Sequence, residues 1–348
     1  MIESLSASMG LAASDPVFWM PLALMLLVTV LVLGLVLLDG IALGAGLLLP
    51  WVSSAQRAWL LEQLAPWQRA NERWLPLMLG VSMAAFPVAW SAMIEGLYAP
   101  FLMLVVGALM RSLAMRAARS LWLYGIGSLL GALGFGLVLS AYVTGQRFHW
   151  SFAAFDLVVS LAMVAAFALL AASWLVIKAQ DTESQAQQAE LGVAMRLAQA
   201  GAGAARWSAA GMVALSFMLA LANPAIFYKW THGNNLQMAA LWWVVMLAAF
   251  VWLDRLLRSW QANQVRARRV PLFLVWLLLA LMFAGVVYSI FPFLVLDELT
   301  LWDAAAPVEP LSLIAGSAAV IAVVSLVVQL WDYRDLLAAK PAARKAKA

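Results

Sequence analysis

Four side chains in the first third of the chain are of the kind that do chemistry: Asp39, Asn71, Glu72 and Arg111. Each lies inside or at the edge of a strongly apolar stretch. An ionisable group at membrane depth is costly unless it is paired or wetted, so such a cluster points to function. Carboxylates in that setting can relay protons, because desolvation favours the neutral acid and a neighbouring arginine favours the anion. The same residues also suit a helix-locking ion pair, Asp39 with Arg111 or Glu72 with Arg73, with Asn71 capping the helix that follows. Residue type and spacing leave both readings open.

The elements that must position these residues are membrane helices. Hydrophobic residues make up 66% of the 348 positions and charged residues 11%. A soluble chain has roughly 45–50% apolar and about 25% charged residues. Apolar runs of spanning length predict an all-α polytopic membrane protein with about nine crossings. They are expected near 18–50, 74–94, 98–118, 121–143, 152–177, 207–228, 239–253, 271–293 and 311–331. The first exceeds one crossing and ends at Pro50, and the seventh is short, closed by Asp254 and Arg255. Trp and Tyr gather near the ends of these runs, as amphipathic rings do at membrane interfaces. Of the 21 Lys and Arg residues, all but Arg147 and Lys229 fall on one side of this topology. The positive-inside rule then places the N-terminus outside and the C-terminus in the cytoplasm. At 1.5 Å per residue, Asp39 comes after a rise of ~30 Å and Arg111 roughly 20 Å into its span. Three helices thus bring Asp, Glu and Arg to one cytoplasmic layer.

The remaining stretches set the organisation. Residues 1–178 are expected as a first bundle and 207–333 as a second. Between them a polar cytoplasmic loop, 179–206, has room for a surface helix around Glu190, Arg196 and Gln199; a basic tail, 334–348, is suited to anionic lipid headgroups. Met1 to Asp15 lacks Lys and Arg, unlike a cleaved signal peptide. Cysteine is absent, which excludes disulfides and thiolate clusters. The only histidines, His149 and His232, fall in outside loops as solvated side chains, so haem or copper ligation by this chain is poorly served. A net charge of +4 reads as membrane asymmetry, with no nucleic-acid partner implied. The glycines of DGIALGAG and LYGIGSLLGALGFG suit close helix packing, and Asn223-Pro224 reads as a kink.

These segments resemble subunit II of the cytochrome bd-type quinol oxidases, including the cyanide-insensitive variants. The family's DGFDLGxG-like first helix, DGNExW-like start of the second and GFYLP…LRGVAFE-like third stand here as DGIALGAG (Asp39–Gly46), RANERW (Arg69–Trp74) and GLYAP…LMRSLAMR (Gly96–Arg116). FPF at Phe291–Phe293 followed by LTLWDA at Leu299–Ala304 is the most specific match. Weaker likeness covers YVTGQRF (Tyr142–Phe148) and WLVIKAQ (Trp174–Gln180), whereas from Ala179 to about Leu281 only hydropathy agrees.

The resemblance implies two four-helix bundles plus a peripheral helix. It implies a haem-free subunit that buttresses a haem-bearing subunit I, in a complex that oxidises membrane quinol and reduces dioxygen. A small single-span subunit, a structural quinone and part of the cytoplasmic proton route belong to the same picture. Asp39, Asn71, Glu72, Trp74 and Arg111 match the family pattern, and Trp302 with Asp303 is assigned to holding the outside loop. Three expected carboxylates are missing: their positions hold Ala42, Arg69 and Arg116. An arginine cannot take up a proton at working pH, so the proton route is expected to be reduced or rerouted, with Asp39 and Glu72 the remaining candidates. The alternatives are an independent small-solute or ion transporter, or a scaffold subunit of a diverged non-oxidase complex.

Overall fold

The computed structural model describes residues 6–7, 9–51, 54–117, 120–145, 152–180, 187–261 and 269–337. The first helix, α1 (Pro16–Gly34), starts where Asp15 accepts a hydrogen bond from the Val17 N–H at 2.9 Å, with Pro16 in the first turn, where it forfeits no helical hydrogen bond. A π-helical turn (Leu35–Asp39) joins it to α2 (Gly40–Leu48), and a 3-10 turn (Leu49–Trp51) containing Pro50 ends the run. Between the first two expected spans the chain forms a further helix, α3 (Ser54–Asn71).

The next boundary differs from expectation. α4 (Trp74–Ala85) ends after 12 residues, and α5 (Pro87–Ala117) runs straight through residues 95–97, where a loop was expected between the second and third spans. Proline disfavours helical geometry in the residue before it, and Phe86 accordingly leaves the helix with φ −130° and ψ 60°. The Ala85 carbonyl freed there accepts from the Ala306 N–H at 2.9 Å. α6 (Leu121–Val143) and α7 (Ala153–Gln180) follow close to plan.

In the second half, α8 (Gln187–Ala222) covers Glu190, Arg196 and Gln199 and continues unbroken into the sixth run. α9 (Pro224–Thr231) turns from it by 105°, capped by Asn223, whose Oδ1 accepts from the Ala225 and Ile226 N–H groups. The Asn223-Pro224 kink is therefore present. The short seventh span is instead the 27-residue α10 (Asn235–Gln261). Asp254 and Arg255 do not close it, because Asp254 accepts from Arg258 one turn on at 2.7 Å and the helix continues as a polar extension. α11 (Val270–Ile290), a two-stranded hairpin of β1 (Phe293–Val295) and β2 (Leu299–Thr300), the single turn α12 (Leu301–Ala304) and α13 (Val308–Leu337) complete the chain.

Among the described residues six helices are long and apolar enough to cross a membrane, or seven if the bent α8–α9 pair is one span. This is an all-α multi-pass membrane protein. The nine crossings expected would require α4 and α13 in addition, and α4 alone is shorter than the ~20 residues a crossing needs. The principal core does not divide at the expected boundary: Ile41, Tyr124 and Trp174 from the first half pack with Met212, Leu253 and Val275 from the second. Close approach explains two of the glycines. A Cβ on Gly44 would lie 1.8 Å from the Phe167 carbonyl oxygen of α7, and one on Gly127 would lie 2.8 Å from the Gly107 carbonyl oxygen of α5.

Candidate functional site

The π turn is the local feature that builds the site. Its wider winding leaves the Leu38 carbonyl to side-chain donors, and two come from α3: the Trp67 indole N–H at 2.8 Å and the Asn71 amide at 2.9 Å. Asn71 is thus a strut between two helices; the helix after it is capped at Arg73, with no side-chain cap bond.

Asp39 closes the π turn and faces Arg111 of α5 in a two-pronged ion pair. Arg111 Nη1 donates to Asp39 Oδ1 at 2.9 Å and Nη2 to Oδ2 at 2.6 Å. Both side chains are buried, at 7% and 4% exposure. Arg111 Nη1 also donates to Gln68 Oε1 at 3.2 Å. Tyr124 of α6, fully buried, offers its hydroxyl to the same Gln68 oxygen at 3.3 Å and to the Ala42 carbonyl at 3.2 Å. Five helical segments therefore meet on one buried charge pair. The Arg111 Nε–H and the buried Trp74 indole N–H find no acceptor among the described residues. Trp74 lies against Gly34, where a Cβ would come within 2.6 Å of its ring.

Glu72 is not at the start of a span but in the turn between α3 and α4, and it pairs with Arg116 at 2.6 Å. Its side chain is 20% exposed and that of Arg116 72%. Sequence reasoning brought Asp39, Asn71, Glu72 and Arg111 to one layer, and the structure does gather them, as two ion pairs and a strut. It missed Trp67, Gln68 and Tyr124. A signal existed, since Trp67 and Asn71 stand four apart and share one face of a helix.

The outside loop is a separate assembly. Trp302 stacks on Phe18 at 5.4 Å and donates its indole N–H to the Phe18 carbonyl at 3.0 Å. Asp303 and Thr300 form a reciprocal capping box that starts α12. Tyr142 donates to the Leu294 carbonyl from α6. Of the histidines, His232 stacks on Tyr228 at 4.3 Å, and His149 lies outside the described residues. No group of three or more metal-ligating side chains occurs among the described residues.

A cavity of about 310 Å³ lies between the two halves, lined by six methionines among other apolar side chains. Its hydroxyls are committed to backbone carbonyls: Thr29 to Met25 at 2.7 Å, Ser82 to Met78 at 2.7 Å, Ser208 to Ala204 at 2.8 Å and Tyr142 to Leu294. Trp90 is the one other donor-bearing side chain on the lining. The walls suit a hydrocarbon chain and offer little to the carbonyl oxygens of a quinone head group.

Comparison with known proteins decides the family. A sequence profile of cytochrome bd terminal oxidase subunit II matches residues 20–336. The chain belongs to that family. The chain is 28% identical over 137 residues to a probable cytochrome oxidase subunit 2 of Haemophilus influenzae, over 36% of each sequence. It is 32% identical over 91 residues to a cytochrome bd ubiquinol oxidase subunit 2 of Bacillus subtilis, over 26% of this chain and 27% of that one. These alignments span about a third and a quarter of the curated relatives. A chain of the bd oxidase of Geobacillus thermodenitrificans shares the fold, with a TM-score of 0.70 at 17% identity, over 91% of this chain and 97% of that one.

Proposed function

We propose that this chain is the haem-free subunit of a bd-type quinol:dioxygen oxidoreductase, and that it supports a haem-bearing partner rather than conducting protons itself. Family membership over residues 20–336 carries the first part. The low histidine count is consistent with haems held by the partner.

The second part rests on one observation: both candidate carboxylates are ion-paired. Asp39 gives both oxygens to Arg111, and Glu72 is held by Arg116. A relay group must be able to take up and release a proton in turn. An aspartate clamped by a guanidinium at two points has both oxygens committed to fixed donors and is suited to holding helices together. Arg116 stands where the resembled family has an acid, so the sign reversal has turned a proton-route position into a counter-ion for Glu72. The role left to the cluster is mechanical: it fixes α2, α3, α5 and α6 in register around the π turn. Protons consumed at the oxygen-reducing site then enter through the partner.

The test is to tag the C-terminus, purify gently in detergent and record a reduced-minus-oxidised visible spectrum. Haem bands with stoichiometric quinol-dependent oxygen uptake are expected. A colourless chain purifying alone from cells that make the partner would overturn the reading.

A further inference from the structure

A second cavity, of about 230 Å³, lies in the second half, among α8, α10 and α11 and under α9, which crosses them after its 105° turn. Its lining differs from that of the central cavity. The indoles of Trp230, Trp242 and Trp243 form an aromatic wall with Phe227, and at the mouth Phe227 and Trp243 are 55% and 37% exposed. Part of the polar lining is satisfied: the Trp230 indole N–H donates to the Ser289 hydroxyl at 2.9 Å, and that hydroxyl to the Gly285 carbonyl at 2.7 Å. The Trp242 indole N–H and the Ser216 hydroxyl, also on the lining, have no hydrogen-bond partner among the described residues. Gly285 keeps the Trp242 donor open, because a Cβ built there would meet only Trp242 Nε1, at 3.6 Å. A donor left without an acceptor at membrane depth is costly, so this hollow suits a ligand that carries an acceptor.

Depth narrows the kind of acceptor. Ser216 stands six residues before the end of α8 at Ala222, Trp242 seven after the start of α10 at Asn235, and Gly285 five before the end of α11 at Ile290. At 1.5 Å per residue, all three lie roughly 8–11 Å below the end of the bundle that the charge asymmetry places outside. The headgroup layer on each side of a bilayer is roughly 5–8 Å thick. The hollow is therefore level with the boundary where headgroups give way to acyl chains, which is where the ester carbonyls of a phospholipid sit. Lys229, on the roof helix α9, adds a charge. Its amine donates to the Tyr288 and Phe291 carbonyls at 2.6 and 2.7 Å and has no carboxylate partner among the described residues. Tyr288 in turn packs edge-on against Trp230 at 4.8 Å, so the amine stands beside the cavity wall. On a side with only one other basic residue, Arg147, an ammonium without a counter-charge attracts a lipid phosphate.

We propose that this cavity is a phospholipid site: an acyl chain enters between Phe227 and Trp243, an ester carbonyl accepts from the Trp242 N–H, and the phosphate lies toward Lys229. The lipid fills the angle under α9 and so belongs to the structure of the second half. A quinone ring would also accept from Trp242 but brings no charge for Lys229. The inference goes beyond the subunit reading and stands independently of it.

The test is native mass spectrometry of the tagged complex, washed free of loosely held lipid in detergent and titrated with palmitoyl-oleoyl phosphatidylglycerol. Trp242→Phe keeps the ring and removes the donor. Gly285→Leu fills the hollow, starting from a Cβ at ordinary contact distance, and Gly316→Leu, in open space on α13, is the control. Wild type and Gly316→Leu are expected to hold one phospholipid that outlasts the rest, and Gly285→Leu none. Trp242→Phe should bind it about five- to tenfold more weakly, the equivalent of one hydrogen bond. Wild-type binding in both Gly285→Leu and Trp242→Phe would overturn the site and leave surface lipid only. A tightly held adduct with the mass of a quinone, in place of a phospholipid, would overturn it as well. A wild-type preparation without haem would instead overturn the subunit reading, with the lipid count still readable.

Discussion

Replacing Asp39 by Asn removes one negative charge and little else in volume, and the structure gives the cost. Arg111 is 4% exposed, and its two Nη groups are satisfied by Asp39 at 2.9 and 2.6 Å and by Gln68 at 3.2 Å. With Asn at position 39 the guanidinium stays buried without a counter-charge, and the new amide N–H group faces an Arg111 donor. Breaking a buried pair from one side costs about 3–5 kcal/mol. At ~1.4 kcal/mol per factor of ten, that is on the order of a hundred- to a few-thousand-fold in the folded-to-unfolded ratio. Removing both partners is different. Asp39→Leu with Arg111→Met deletes the charge together with its counter-charge, and such replacements are often neutral or stabilising by about 1–4 kcal/mol. Gln68 keeps the Tyr124 hydroxyl as a donor in the double variant. The assay is the unfolding midpoint of the detergent-purified complex for wild type, both single variants and the double variant. A strongly favourable coupling between positions 39 and 111 is expected. Single variants that lose less than about 1 kcal/mol, or a double variant that loses the sum of the singles, would refute the lock and leave Asp39 free for other work.

Other consequences are smaller or more local. Arg116→Ala exposes Glu72 but breaks a largely solvated pair, so stability should change by no more than about 1 kcal/mol in the same unfolding assay. Tyr124→Phe removes the one O–H donor shared by the Ala42 carbonyl and Gln68 and should cost about 1–2 kcal/mol by midpoint shift. Trp302→Phe keeps a ring on Phe18 and loses one hydrogen bond, about 1 kcal/mol, whereas Trp302→Ala should cost about 3–5 kcal/mol and loosen the outside loop to protease. Gly44→Ala should prevent a monodisperse preparation, because its Cβ would lie 1.8 Å from a backbone oxygen. Gly316→Ala, with open space around it, should behave as wild type by size-exclusion chromatography.

The chemistry-bearing residues were legible because charge stands out in an apolar chain. Asp39, Glu72 and Arg111 could be placed in one layer from helix rise alone. What each does there was not legible. Whether Asp39 is a relay or a lock depends on Gln68 and Tyr124, to which residue type alone gave no site role. Polarity between the first two expected spans hid α3, and with it the Trp67 and Asn71 struts. The α4–α5 boundary was misplaced because Glu95 and Gly96 look like a loop in hydropathy, while the real break is steric and carried by the Phe86-Pro87 bond. The length of α10 was missed for the opposite reason. Charges at Asp254 and Arg255 end an apolar run without ending a helix, since an i,i+4 partner at Arg258 lets the helix carry on past its apolar stretch. The core shared by both halves could not be foreseen from hydropathy, which marks a helix as buried without naming its neighbour.

The most direct measurement of the central claim is quinol-driven oxygen uptake per haem in Asp39→Asn, Glu72→Gln and the double variant. Dividing by haem separates turnover from the yield of assembled complex, which the Asp39 variant is expected to lower. If the two carboxylates are bound into a structural lock, every complex that assembles turns over at the wild-type rate. A per-haem rate that falls at least tenfold in either single variant, with the haem spectrum unchanged, would contradict the account and make this subunit part of the proton route.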